Sequence, residues 1–201
     1  MPNNPGYPTH SLVRVMEKQE IAQASSRTMI GFYAGWQPGS GIDPDQLRWM
    51  APYVAGKKGY LTITTENDKE LEVADMRPGD EVFHGAAPDK PMLIHPGNID
   101  QVEQYIVDWV KGRGHHVHFC HVNDPEVGEM VAAARDEGYP TSSGLTPHHA
   151  VKAAHDRHTH GKFAEMMPEL TDPDKLLWQL DEGIVDVVET DHAPHTYEAK
   201  M

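Results

Sequence analysis

The sequence predicts an α/β fold, a barrel such as the (β/α)8 type or an open parallel sheet, because short apolar runs alternate with amphipathic stretches. The run over 91–95 leads to Asn98 as a helix cap, and the run over 115–120 leads to Asp124 and Pro125, a typical helix start. Repeated strand–helix–strand units predict right-handed parallel crossovers, and therefore a barrel or an open parallel sheet. Three of the apolar runs end close to a His or Asp, at the strand ends where barrel enzymes carry their catalytic groups.

The remaining elements follow the same rhythm along the chain. Further strands are predicted over 29–33, 60–64, 141–146 and 184–190. Helices are predicted from a cap at Thr9 to about Ser25, over 44–50, from Asn98 to near Gly112, over 125–138 and over 172–183. Residues 66–90 interrupt the alternation, and we expect an irregular acidic insertion or loop there. The length of 201 residues predicts one domain over 1–201.

The composition excludes several classes of protein. A net charge of -14 leaves no basic face for nucleic acid or for an anionic membrane. No apolar run approaches the roughly 20 residues that a membrane-spanning helix needs. The single Cys120 rules out an internal disulfide and fits a reducing compartment, so we expect a cytoplasmic protein. Because Cys120 lies inside a predicted strand, we interpret it as a buried, inert thiol.

The strand ends carry the residues that indicate chemistry. Asp191 directly follows the last predicted strand, and His95 and His121 stand at the ends of two earlier strands. Neutral imidazole and carboxylate are the ligands expected of a hydrolytic zinc site that keeps one position open for water. We therefore predict that His95, His121 and Asp191 converge on a shared metal ion. The alternative for any one of these positions is a hydrogen-bonded core residue or a surface turn.

Two motifs in the sequence are specific, namely Asp191-His192-Ala193-Pro194-His195 and Thr146-Pro147-His148-His149. Three further segments are Cys120-His121-Val122, Gly31-Phe32-Tyr33-Ala34-Gly35 and Met1-Pro2-Asn3. Together these segments resemble the motifs of dihydroorotases, which are cyclic-amide hydrolases of the amidohydrolase superfamily built on a TIM-type barrel. The resemblance runs over nearly the whole chain. It implies an incomplete barrel in which about the third to the eighth strand are present.

The resemblance also implies a reaction, a cofactor and partners. The reaction is the reversible opening of the dihydroorotate ring to N-carbamoyl-L-aspartate, a step of pyrimidine biosynthesis. The cofactor is one or two Zn²⁺ ions, for which another divalent metal could substitute. The partner is a small-molecule substrate; we also expect a homo-oligomer, with aspartate carbamoyltransferase as a candidate protein partner. The implied site residues are the catalytic Asp191, the metal ligands His95, His121 and Asp191, the substrate-binding Asn3 and His195, and the supporting His148, His149 and His192.

The chain departs from the family pattern in several places. Leu61 stands where many members carry a carboxylated lysine that bridges two metals, and because Leu cannot ligate, Glu66 or Asp68 could substitute. Met167 and Thr171 replace a substrate-binding Asn and Arg. The His-x-His-x-Arg motif of the first barrel strand is missing. We therefore expect a partial chain that binds metal poorly and turns over slowly or not at all.

Two alternative functions remain open. A hydantoinase or allantoinase would use the same barrel and metal site, although the two specific motifs favour a dihydroorotase. A non-catalytic homologue could instead serve as a scaffold for aspartate carbamoyltransferase, and Leu61 and Met167 fit that interpretation. A further group of histidines, His155, His158 and His160, lies in a polar segment that we interpret as a solvated loop.

Overall fold

The computed structural model describes residues 8–62, 70–153, 156–164, 166 and 168–192. The chain divides into two compact units, Met1–Val117 and His118–Met201. The single domain expected over 1–201 stays a prediction. Within the described ranges, none of the helices combines the length and the apolar character needed to cross a membrane.

The helices and strands alternate along the chain. The first unit contains α1 (Leu12–Ser25), β1 (Tyr33–Gly35), α2 (Gln46–Met50), a 3₁₀ turn (Ala51–Tyr53), β2 (Gly56–Tyr60), α3 (Val73–Ala86), β3 (Met92–His95), α4 (Ile99–Tyr105) and a π-helical segment (Ile106–Lys111). Strand β4 (Val117–Phe119) begins at the last residue of that unit. The second unit continues with α5 (Pro125–Asp136), β5 (Thr141–Leu145), α6 (Pro147–Val151), α7 (Asp156–His160), a 3₁₀ turn (Gly161–Ala164), α8 (Pro173–Asp181) and β6 (Val187–Val188).

The strands of the first unit pair in parallel. Strand β1 pairs with β2, and β2 pairs with β3 in a register that sets Tyr60 opposite His95. All four residues of β3 are buried, as expected for a parallel strand that is covered on both faces. The parallel strand–helix–strand pattern predicted from the sequence is therefore found. His95 is the last residue of β3, which places its imidazole at the carboxyl end of this sheet.

A fully buried ion pair lies at the centre of the first unit. The ammonium of Lys57 on β2 donates to a carboxylate oxygen of Asp80 on α3, and both side chains are 0% exposed. The hydroxyl of Tyr105 donates to the second carboxylate oxygen of Asp80 at 2.7 Å. Burial, together with the neighbouring Asp80 charge, raises the pKa of Tyr105 well above its usual value. Both oxygens of the buried carboxylate are thus satisfied, which a charge inside a protein requires.

The expectation of an irregular segment over 66–90 is wrong for most of its length, because α3 occupies Val73–Ala86. A reciprocal capping box between Glu72 and Asp75 starts the helix. The turn-like Pro78 and Gly79 lie inside it, and a Cβ on Gly79 would lie 2.9 Å from Cδ2 of Trp36. The helix buries Val73, Met76 and Phe83. These apolar contacts and the Asp80 ion pair outweigh the cost of a proline in a helix.

Two strands of the first unit are displaced from their predicted positions. The strand expected over 29–33 is β1 at Tyr33–Gly35, and Met29 is fully exposed. The strand expected over 60–64 is β2 at Gly56–Tyr60, because Asp80 neutralises Lys57 and lets a lysine occupy the interior. The residues 63–69, including Glu66 and Asp68, lie outside the described ranges.

The cap of α1 is Ser11 rather than Thr9. The Ser11 hydroxyl accepts the backbone N–H of Arg14 at 3.4 Å, which fits an N-cap residue. The Thr9 hydroxyl instead donates to the carbonyl of Tyr33 at 2.7 Å. Thr9 therefore ties the segment before α1 to strand β1.

In the second unit, strand β6 pairs in parallel with β5 through Gly144 opposite Val187 and Leu145 opposite Val188. The backbone N–H of Val122, just after β4, donates to the carbonyl of Gly144 at 2.7 Å. Helix α5 begins as predicted at Asp124-Pro125, with the Asp124 carboxylate accepting the N–H of Glu126 at 2.9 Å. The carboxyl ends of β4, β5 and β6 consequently lie along one edge.

Arg135 at the end of α5 holds the turn that precedes β6. Its guanidinium donates to the carbonyl of Gly183 at 2.9 Å and forms an ion pair with Asp186. The other carboxylate oxygen of Asp186 accepts the backbone N–H of Ser143 at 2.8 Å. Asp186 thus joins helix α5 to strand β5 and sets where β6 begins.

The histidine-rich segment that was expected to be a solvated loop is partly helical, as α7. His158 and His160 are exposed on it, and the Asp156 carboxylate lies 3.9 Å from the ring of His160. An acidic residue in the first turn favours the helix through the helix dipole. His155 lies outside the described residues.

Replacing Lys57 by Met should lower the free energy of unfolding by about 3–5 kcal/mol, because it leaves the Asp80 carboxylate as an uncompensated buried charge. Urea unfolding followed by circular dichroism measures the change. Lys58→Met is the matched control on the same strand; its ammonium lies 5.6 Å from the Tyr60 ring, and its loss should cost about 1 kcal/mol or less. Equal losses in the two variants would contradict the assignment of the buried pair.

Candidate metal-binding site at the strand ends

Two of the predicted metal ligands share an unusual backbone conformation. His121, two residues after β4, has φ 38°, and Asp191, three residues after β6, has φ 43°. Among the residues that the structure describes, they are the only non-glycine residues with positive φ. Such conformations cost energy and cluster at functional sites, where the fold holds a side chain in a required direction. The backbone strain therefore marks the two strand ends that the sequence predicted.

His121 and Asp191 also differ in access to solvent. The His121 ring is 1% exposed, whereas Asp191 is half-buried. The imidazole of His121 is thus enclosed, and the carboxylate of Asp191 is more accessible to solvent. The role of His121 and Asp191 as metal ligands stays a prediction.

The third predicted ligand, His95, belongs to the first unit. It is 4% exposed at the end of β3, and its ring centroid lies 5.7 Å from that of Tyr60. Its carbonyl accepts the backbone N–H of Leu61 at 3.2 Å. Leu61 is 1% exposed directly after β2, at the position where the family resemblance implies a bridging lysine. The convergence of His95 with His121 and Asp191 stays a prediction.

His149 is held in one tautomer by two hydrogen bonds. Its Nε2 lies 3.0 Å from the carbonyl of Pro168, which can only accept, so Nε2 carries the proton. The Nδ1 atom then accepts from the hydroxyl of Thr146 at 2.6 Å. Burial, opposed by the Pro168 bond and assisted by His148, lowers the pKa of His149 to about 4. His149 is therefore a neutral ring that fixes helix α6 against the segment around Pro168.

The neighbouring His148 connects this helix to Asp191. Its ring centroid lies 4.5 Å from that of His149. Burial lowers the pKa of His148, and the negative charge of Asp191 partly opposes that effect. Helix α6 therefore sets an imidazole within electrostatic range of Asp191, and the supporting role of His148 stays a prediction. His192 is exposed, and the predicted substrate-binding residues Asn3 and His195 lie outside the described ranges.

The structure brings together a group of potential ligands that was not predicted, His118, Cys120 and Glu189. One ligand atom from each lies within 4.8 Å of the others. The carboxylate of Glu189 lies 3.8 Å from Nε2 of His118, and Cys120 is fully buried. Burial lowers the pKa of His118, but the hydrogen bonds and charges of Cys120 and Glu189 outweigh burial and raise that pKa to about 9.

A glycine on β5 makes room for this group. A Cβ on Gly144 would lie 2.7 Å from Cδ of Glu189, so any larger residue would displace the carboxylate. One Glu189 oxygen accepts the backbone N–H of His121, and the Glu189 N–H donates to the carbonyl of Leu145 at 3.0 Å. Glu189 is thereby fixed both at its backbone and at its side chain.

The sequence interpretation missed these three residues as a group. It assigned Cys120 to an inert thiol and gave no role to His118 or Glu189. A signal was present, since residues two apart on a strand point to the same face. Glu189 could not be added without knowing that β6 pairs beside β5.

Comparisons with known proteins support the fold and the resemblance. No protein-family model matches the chain. The chain is 36% identical over 164 residues to the dihydroorotase of Clostridium botulinum, a match that covers 81% of this chain and 35% of that protein. It is 26% identical over 187 residues to the dihydroorotase of Elusimicrobium minutum, covering 90% of this chain and 42% of that protein. The chain thus spans less than half the length of these curated relatives.

Solved structures share the fold at lower identity. The L-hydantoinase of Arthrobacter aurescens superposes with a TM-score of 0.87 at 17% identity, over 100% of this chain and 51% of that one. A Saccharomyces cerevisiae dihydroorotase solved with 5-fluoroorotic acid superposes with a TM-score of 0.78 at 17% identity, over 100% of this chain and 62% of that one. The fold is therefore the amidohydrolase-type barrel, as predicted, with a part of it present here.

The parallel strands and the solved structures place the chain in the class of TIM-type α/β barrel proteins. Within that class it is homologous to the dihydroorotases over most of its length, which confirms the resemblance seen in the motifs.

Acidification should destabilise the second unit partly through His149. The pKa of His149 is about 4 in the folded chain, and its reference value is 6.5. Between pH 4 and pH 6.5 the unfolded chain therefore binds a proton at His149 that the folded chain does not bind. The contribution is fully present above pH 6.5 and is lost as pH falls towards 4, with a slope approaching about 1.4 kcal/mol per pH unit. Unfolding measured from pH 7 to 4 should show a shallower loss for His149→Gln than for the unchanged chain.

His158→Gln, at an exposed position on α7, is the control and should leave the slope unchanged. Part of the acid sensitivity should remain in His149→Gln, because burial also lowers the pKa of His115 to about 4. A slope in His149→Gln identical to that of the unchanged chain would disprove the role of His149.

Proposed function

We propose that this chain carries part of the catalytic face of a dihydroorotase, which opens dihydroorotate to N-carbamoyl-L-aspartate and closes the ring in reverse. The observation that carries the proposal is the left-handed backbone of His121 and Asp191, at the two strand ends where the resemblance implies metal ligands. The 36% identity to a curated dihydroorotase over 81% of the chain supports the same choice of substrate.

Hydrolysis of an unactivated cyclic amide needs a polarised carbonyl and a water made more nucleophilic. A divalent ion held by His95, His121 and Asp191 would supply Lewis acidity and lower the pKa of a bound water to about 7. Asp191 accepts the proton of the attacking water as the new C–O bond forms. The ring C–N bond then breaks, and Asp191 returns the proton to the departing nitrogen.

The surrounding residues have complementary roles in this proposal. The neutral His149 anchors helix α6, so that His148 stays near Asp191 and limits where its carboxylate can turn. Asn3 and His195 are the proposed substrate contacts, and His192 is a further supporting residue. The proposal includes Zn²⁺ as the cofactor, a cytoplasmic location, a homo-oligomer and aspartate carbamoyltransferase as a candidate partner.

A non-catalytic scaffold is the second candidate, and one observation favours it. Leu61 fills the position of the bridging lysine with a buried apolar side chain, which cannot hold a second metal. A scaffold would co-purify with aspartate carbamoyltransferase and contain no zinc. A hydantoinase or allantoinase, in contrast, would contain zinc and would prefer hydantoin or allantoin to dihydroorotate. Metal analysis and a comparison of the three substrates therefore distinguish the candidates.

Asp191→Asn should lower turnover of dihydroorotate by at least about 100-fold, because it removes the general base, and should weaken Zn²⁺ binding because a neutral amide replaces an anionic ligand. Ring opening is followed by ultraviolet absorbance and Zn²⁺ affinity by calorimetry. We expect slow turnover from the unchanged 201-residue chain, so Zn²⁺ affinity provides the second measurement. His121→Asn should weaken Zn²⁺ binding in the same way.

The control is Asp181→Asn, which removes an exposed carboxylate at the end of α8. It should leave Zn²⁺ affinity and turnover unchanged. Unaltered Zn²⁺ affinity in both Asp191→Asn and His121→Asn would refute the metal assignment, and a preference for hydantoin would refute the choice of substrate.

A further inference from the structure

The second unit contains three neighbouring side chains of the types that bind cations, and none of them belongs to the proposed catalytic set of His95, His121 and Asp191. His118 and Cys120 extend from β4 and the residue that follows it, and Glu189 extends from the end of β6. We propose that His118, Cys120 and Glu189 form a distinct thiolate-containing site for a borderline divalent cation such as Zn²⁺. This proposal does not depend on cyclic-amide hydrolysis.

The distances suit a small cation. Zn²⁺ bonds of about 2.0–2.3 Å put the ligand atoms of a tetrahedral site roughly 3.3–3.8 Å apart. The ligand atoms here lie within 4.8 Å of one another, and the imidazole–carboxylate distance is already 3.8 Å. Side-chain rotations that move the ligand atoms by about 1 Å would therefore allow three bonds to the ion and leave a fourth coordination position for water.

Two contacts outside the group hold the ligands in the required orientation. The Ser142 hydroxyl lies 2.9 Å from Nδ1 of His118, so an Nδ1–H that donates to it leaves Nε2, which lies 3.8 Å from the Glu189 carboxylate, as the ligand atom. The backbone N–H of His121 occupies one oxygen of Glu189 and leaves the other beside His118. These are the kinds of contact that orient metal ligands in proteins.

The ligand types of His118, Cys120 and Glu189 determine which cations can bind. A thiolate is a soft ligand that Ca²⁺ and Mg²⁺ avoid, whereas thiolate with imidazole and carboxylate suits Zn²⁺ and Co²⁺. Cation binding displaces the thiol proton of Cys120 and the Nε2 proton of His118 to solvent, so that the sulfur ligates as thiolate and the ring as neutral imidazole. The side chains of His118 and Glu189 are 14% and 25% exposed, which gives an ion a route to the buried sulfur.

The alternative is an ordinary ion pair between His118 and Glu189 beside an inert thiol. The two differ in whether the sulfur bonds to a cation, and that bond has an optical signature. Co²⁺ is the probe, because a sulfur–cobalt bond gives an intense charge-transfer absorption that His, Asp and Glu ligands do not give. The catalytic set of His95, His121 and Asp191 contains no sulfur, so its occupancy cannot produce this band.

The experiment uses the full 201-residue chain, reduced, stripped of metal with a chelator and titrated with Co²⁺ in the absence of oxygen. We expect one charge-transfer band that saturates with one equivalent of Co²⁺. Cys120→Ser should abolish the band while circular dichroism shows an unchanged fold, because Ser is nearly the same size. Glu189→Gln should weaken Co²⁺ binding by at least about tenfold, and Ser142→Ala should weaken it about tenfold while keeping the band.

Asp191→Asn separates this site from the catalytic one. The charge-transfer band should persist in that variant, even though the proposed catalytic site has lost a ligand. Absence of the band in the folded, unchanged chain at saturating Co²⁺ would overturn the proposal and leave the proposed function untouched. Loss of the band in Asp191→Asn would also overturn it, since the sulfur would then belong to the catalytic ion.

Discussion

Parallel pairing of the strands is the constraint on which the rest of the structure depends. In the first unit it sets the end of β3 beside the end of β2, and in the second it sets the end of β6 beside that of β5. Because parallel strands share a direction, the residues that follow them lie along one edge of their sheet. In the first unit His95 is the last residue of β3, and in the second unit His121 and Asp191 come two and three residues after β4 and β6.

The sequence was sufficient where the determinants are local. Helix α5 begins at its predicted Asp124-Pro125 start, and α8 begins at Pro173 with Asp172 as its cap. Both starts combine a side chain that accepts a backbone N–H with a proline whose missing N–H costs nothing there. The strand ending at His95 was found for the same reason, because four consecutive apolar or strand-favouring residues identify a buried strand without reference to any partner.

Long-range interactions account for what the sequence could not predict. Strand β2 contains Lys57, which looks like a surface residue until Asp80, 23 residues later, is seen to neutralise it. Helix α3 contains Pro78 and Gly79, which look like a turn until the close approach of Trp36 explains the glycine. In both cases the local preference is real and a distant partner overrides it.

The candidate ligands show the same difference between local and long-range determinants. His121 and Asp191 could be predicted as ligands because each stands at the end of an apolar run in the sequence, and the structure adds their left-handed backbone conformation. The group of His118, Cys120 and Glu189 needed the sheet itself, because Gly144 on the strand between them creates the space for the carboxylate. A glycine in a strand carries no such information until its neighbour is known.

Arg135 connects this edge to the opposite side of the second unit. Its guanidinium holds the carbonyl of Gly183 and the carboxylate of Asp186, five residues before Asp191. A charge on helix α5 therefore helps to fix the position of the last strand. A substitution at Arg135 would remove the contacts that fix Gly183 and Asp186. The segment from Asp186 to Asp191 would then be less well positioned, so the substitution would change the position of the Asp191 carboxylate as well as the stability of the second unit.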